Sequence, residues 1–125
     1  MSAAQAAGVL NSHLRGTAFP TNSTIWMKLH TADPGAAGAT APAGNTTRQQ
    51  ITFGTAATTG TISNTAAITW TTVSDTETYT HYSLWTASTS GTFLGSGTIS
   101  GGSVQAGNNF SIPTGDLDIT VATAA

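Results

Sequence analysis

From Thr24 onward the chain alternates apolar and polar positions, with Ile25, Met27 and Leu29 on one face and Trp26, Lys28 and His30 on the other. A period of two is the signature of an extended strand, whose successive side chains point to opposite sides. Shorter signals of the same kind follow at Ile51 and Phe53, Ile62, Ile68 and Trp70, Tyr82 and Leu84, Phe93 and Leu94, and Phe110 and Ile112. Tyr82 and Leu84 stand opposite His81, Ser83 and Trp85. The final alternation turns Leu117, Ile119 and Val121 inward and leaves Asp118 and Thr120 outward. These parities predict a core of Ile25, Met27, Leu29, Ile51, Phe53, Ile68, Trp70, Tyr82, Leu84, Phe93, Phe110, Ile112, Leu117, Ile119 and Val121.

Helical spacing occurs once, at Ala3, Ala6, Ala7, Leu10 and Leu14, after Ser2 with Gln5 three positions on and before Gly16. Ser at the N-cap and Gly just past the last turn are the ordinary start and stop of a helix. The stripe is narrow, and it predicts a helix that docks lightly on its own domain or packs against another subunit. Asp33-Pro34-Gly35 ends the first strand by turn chemistry. Residues 35–47 lack an apolar pattern and read as a long loop, and 87–91 read as a hairpin loop. Gly95 and Gly97 mark a bulge or a close backbone approach. Short strands separated by turn signals predict a mostly β fold, a small antiparallel β-sandwich or barrel-like domain with one short N-terminal helix. The expected organisation is an N-terminal helix or arm over residues 1–17 and a single β-sandwich domain over 18–125.

Composition changes this picture in one respect. Charged residues make up 6% of the 125 positions, where an ordinary domain carries about 25%. Threonine, serine, asparagine and glycine hydrate the surface instead, and threonine favours strands. A hydrophobic content of 38% with a net charge of −2 is that of a folded chain rather than a disordered one. Edge strands are commonly guarded by charge, and the basic residues are Arg15, Lys28 and Arg48 alone, so partners are expected to cover some edges. So few cations exclude the positive patch of a nucleic-acid binder. With no cysteine there is no disulfide framework. No apolar run approaches a membrane span, and no secretion signal is expected.

Candidate chemistry is sparse. A hydrolase needs one of His13, His30 and His81 beside a nucleophilic Ser or Thr and a carboxylate, and no Gly-x-Ser-x-Gly elbow positions such a set. The pairs Asp116 with Asp118 and Asp75 with Glu77 fall short of the six to eight oxygens usual at calcium, and they read as solvated strand or turn residues. No catalytic residue, metal site or cofactor is therefore expected. Binding has better leads: Leu10 and Leu14 on the helix, and Trp26 and Trp85 on the faces opposite Met27 and Leu84. A tryptophan there serves an interface, a second packing layer, or, as a smaller share, a sugar ring.

The ordered segments LHTADPG from Leu29, RQQITFG from Arg48, ISNTAAITW from Ile62, THYSLWTAS from Thr80, GTFLGSGTIS from Gly91 and GDLDITV from Gly115 resemble a family of small tailed-phage virion proteins, commonly labelled phage tail fibre or minor tail proteins. The resemblance implies a non-enzymatic β-sandwich-like subunit on the outside of a bacteriophage virion. A cysteine-free, weakly charged, threonine-rich β domain fits a particle assembled in the host cytoplasm, and the expectation is a homo-oligomer that contacts other virion proteins in the tail or tail-fibre apparatus. Two alternatives stand beside it: capsid decoration, in which the domain clamps the major capsid subunits, and a carbohydrate-binding module for the host surface.

Overall fold

The computed structural model describes residues 1–18, 21–22 and 24–122; the last three positions of the predicted β domain, 123–125, lie outside the described residues. Helix α1 spans Ala3–Arg15. Ser2 caps its start by accepting from the Gln5 amide at 3.3 Å. Gly16 closes it in the left-handed conformation, φ 66°, which a side chain disfavours. The strands are β1 Ile25–His30, β2 Gln49–Ile51, β3 Thr61–Ser63, β4 Ile68–Trp70, β5 Glu77–Trp85, β6 Phe93–Val104, β7 Phe110–Ile112 and β8 Asp118–Thr120.

Four of these form one antiparallel sheet in the order β2-β1-β5-β6, and β3 with β8 and β4 with β7 form two shorter antiparallel pairs. The β4–β7 pair supplies Ile68, Trp70 and Ile112, and the turn before β8 supplies Leu117, to a core that also holds Met27, Leu29, Ile51, Tyr82 and Leu84. This is a small two-layered sandwich, and among the described residues its sheets do not close into a barrel. Two buried side chains fix the loops around this core with their polar atoms. Trp70 Nε1 donates to the Thr47 carbonyl at 2.8 Å. Asn64 donates to the carbonyls of Ala66 and Pro113 and accepts from the amides of Gly115 and Leu117, which pins the turn before β8.

The predicted core needs correction at two positions. Phe93 faces away from the core. Leu84 pairs with Gly95 and Trp85 with Phe93, so Leu94 is an extra residue in β6 and reverses the parity beyond it. Leu94 packs on the core in its place, and Phe93 shares the face of Trp85, ring centroids 5.5 Å apart. Val121 is exposed because it lies past the end of β8, held there by its amide on the Gly60 carbonyl. Ile25, Phe53, Phe110 and Ile119 are half-buried and pack against the core. Sequence parity omitted Tyr79, Val73 and Ala43, which are buried. Both glycines marked for close approach behave so: Met1 backbone lies against Gly95, and the Tyr82 ring occupies the space of a side chain at Gly97.

The predicted long loop, 35–47, does not project. It folds back along β1, with the Thr31 amide on Ala41 O and the Ala43 amide on Leu29 O, and its Gly38 lies under the Phe93 ring. Pro34 and Ala43 are buried. The loop thereby roofs the outer face of the sheet.

Candidate interaction surfaces

The helix turns its stripe outward. Ala3, Ala7, Leu10 and Leu14, spaced four, three and four apart, are all exposed, whereas Ala6 of the predicted stripe is half-buried on the other side with Ser2, Gln5, Gly8, Val9 and Ser12. Leu10 is 58% and Leu14 77% exposed, and no residue of α1 is buried. Its anchor is at its start, where the Ser2 amide donates to Leu94 O at 2.7 Å. A free helix of 13 residues is marginal in water, so α1 presents apolar surface that its own domain leaves uncovered.

Trp26 and Trp85 are directly opposite one another on β1 and β5, both half-buried on the outer face. The structure thus brings together the two predicted aromatic positions and leaves Leu10 and Leu14 on a separate element. The Arg48 guanidinium lies 4.1 Å from the centre of the Trp85 ring and donates to the carbonyls of Ala87 and Ser90, each at 2.7 Å. A cation over an indole and two carbonyls at the hairpin fix this side chain three ways. Lys28 shares the face; burial first, and Arg48 second, hold its ammonium below the ordinary lysine range.

Beneath the roof runs a chain of hydrogen bonds that has no local signature in the sequence. Trp85 Nε1 donates to Ser83 Oγ at 2.8 Å, Ser83 Oγ lies 2.7 Å from His30 Nε2, and His30 Nδ1 lies 2.8 Å from the Thr40 carbonyl. Ser83 and His30 are both 0% exposed. A Ser–His pair at this distance is the beginning of a nucleophilic site. Here a backbone carbonyl occupies the position a carboxylate would need, the serine oxygen is already bonded to an indole, and both side chains are sealed from solvent. The arrangement holds the loop to the sheet.

The acidic pairs are also engaged locally. Glu77 accepts from the Gly44 amide at 2.8 Å, Ser74 bonds Asp75 at 2.9 Å, and Ser63 bonds Asp118 across β3 and β8. Asp116 is not on the strand with Asp118; it belongs to the turn before β8, its amide on Pro113 O. Among the described residues no group of three or more His, Cys, Asp or Glu side chains is placed to hold a metal ion, and no helix is long and apolar enough to cross a membrane.

Comparison with known protein families matches residues 1–120 to the family described as Podophage GP4 fiber I protein gp80. The chain belongs to this phage fibre family. The resemblance read from its ordered segments is thereby shown, and the protein is a structural virion component of the podophage fibre type that associates with other virion proteins. The gp80 fibre match begins before α1 and ends with β8, so helix and sandwich both lie within the family's unit. No individually curated protein matches the chain.

Proposed function

We propose that the protein is a non-enzymatic building subunit of a podophage tail-fibre apparatus, in which a single sandwich over residues 18–125 is joined to neighbouring subunits by its N-terminal arm, residues 1–17. The exposed stripe of α1, ending in Leu10 and Leu14, carries this reading: a helix that its own domain leaves uncovered gains stability where a neighbour covers it. Membership of the fibre family supports the tail over the capsid shell as the location. The packing of Trp85 under Arg48, with its N–H given to Ser83, supports an architectural role for that side chain over sugar stacking.

The test is mass spectrometry of purified virions with heads and tails separated, for the wild type and a Leu10→Ser/Leu14→Ser variant. The wild type is expected with the tails, and the variant is expected to fold and be lost from particles. Recovery with the heads overturns the tail-fibre placement, and normal incorporation of the variant overturns the arm as the joint.

A further inference from the structure

We propose that α1 of one copy seats in the groove between the sheets of a second copy, Leu10 and Leu14 entering the groove and Arg15 reaching Asp116. The inference rests on the assembly reading above and names the partner as the same chain. The groove, about 340 Å³, opens where the β6 side of the large sheet overhangs β7 and the turn before β8. Its walls reach the core at Met27, Tyr82, Phe110, Ile112 and Leu117. That volume is at the lower end of sites that enclose small molecules, and it suits a few apolar side chains. The molecule therefore carries a ridge, Leu10 and Leu14, left exposed among the described residues, and a recess open to solvent whose floor is apolar and whose rim, at Thr98, Ser100, Ser111 and Asp116, is polar.

Charge selects between possible occupants. Asp116, exposed, is the one carboxylate in the groove lining. Arg15 directly follows Leu14 at the end of the ridge, exposed and bonded within its own helix to Asn11 at 3.3 Å. Of the other cations, Arg48 is committed to Trp85 and the hairpin, and Lys28 stands on the opposite face of the sheet from Met27. The ridge thus ends in a cation and the recess in an anion, so a second copy supplies the complement of each. Ridge and recess are different patches, which makes the contact heterologous. Such contacts close into a ring or a reciprocal pair, or extend into a filament.

The experiment is sedimentation velocity on the full chain over a concentration series, with R15D, D116R, the double R15D/D116R, and an equimolar mixture of the two single variants. Both positions are exposed, so circular dichroism is expected to show native folding throughout. Wild type is expected to associate with rising concentration. Each single reversal is expected to weaken association about tenfold or more, since it places like charges together. The double variant and the mixture restore it, because each again sets opposite charges across the contact. A wild type that stays monomeric overturns the inference, whether its arm is free or folded into its own groove, as does association that neither reversal moves. Particle incorporation measured in parallel separates the two readings: a monomeric chain that still enters virions leaves the structural role standing.

Discussion

Nε2 of His30 lies 2.7 Å from Oγ of Ser83, with neither residue reaching solvent. The direction of that bond follows from its neighbours. Nδ1 faces the Thr40 carbonyl, which only accepts, so the ring carries its proton there and Nε2 accepts from the serine hydroxyl. Ser83 in turn accepts from Trp85. One ordered chain, Trp85 to Ser83 to His30 to Thr40, thus ties two central strands to the loop that roofs them, and it requires a neutral histidine.

That requirement makes the fold sensitive to acid. Burial is the largest influence on His30 and pushes its pKa below the ordinary 6.5; the nearby Lys28 and His81 act in the same direction, against the opposing pull of the Thr40 and Ala41 carbonyls. With the folded pKa depressed, the unfolded chain binds more protons in the window below about 6.5, so stability is fully present above it and falls as pH drops toward the folded value. Urea denaturation across pH 7.5 to 5 is expected to show this fall. A His30→Gln variant is expected to be less stable at neutral pH and to show a flatter profile over the same window.

Ser83→Ala removes the middle of the chain. It leaves the sealed His30 Nε2 without a donor and Trp85 Nε1 without its acceptor, a loss of about 1–3 kcal/mol for an orphaned buried group. The midpoint of urea unfolding is expected to fall accordingly, with the slope unchanged. A near-neutral result would mean that the two rings find other partners.

Where local periodicity governs, the fold was legible. Alternation from Ile25 to His30 located β1 and its faces, and Ser2, Gln5 and Gly16 bounded α1 within a residue. Parity fails where a ladder irregularity intervenes. The extra residue Leu94 exchanged the faces of Phe93 and its neighbour, and the irregularity between Tyr79 and His81 hid the inward turn of Tyr79. His30 sits on what parity reads as an outer, polar face, yet it is wholly buried, because a segment with no apolar pattern of its own folds over it. Of the candidate surfaces, the exposure of Leu10 and Leu14 agrees with the narrow helical stripe. The groove has no local signature, since it is lined by residues far apart in sequence.

Asn64 is buried and has all its hydrogen-bonding capacity used: two bonds given to carbonyls and two received from amides, at 2.8 to 3.1 Å. The Gly115 amide has a second acceptor in the Asn64 backbone carbonyl, whereas the amide of Leu117 is buried on the side chain alone. Asn64→Ala is therefore expected to destabilise by about 1–3 kcal/mol through that one orphan. Asn64→Asp keeps both acceptors but aims a carboxylate at two carbonyls, so it is expected not to rescue. Amide exchange at Leu117, measured in the alanine variant, is expected to accelerate more than exchange in β1.

Tyr79 presents the opposite situation. Its ring is fully buried, edge-on to Phe110 with centroids 5.0 Å apart, but among the described residues its hydroxyl has no hydrogen-bond partner. Burying an unpaired hydroxyl costs free energy, whereas the packing of the ring does not depend on the oxygen. Burial, with Glu77 and Asp75 nearby, raises the pKa of the phenol, which keeps it neutral and gains nothing from ionisation. Tyr79→Phe is therefore expected to leave stability unchanged or raise it by up to about 1 kcal/mol, and Tyr79→Ala to lower it by about 3–5 kcal/mol, the usual loss for a large aromatic core residue. Thermal unfolding of the two variants beside the wild type checks both. A clear loss on Tyr79→Phe would mean that the hydroxyl is bonded in solution and that this corner of the core is polar.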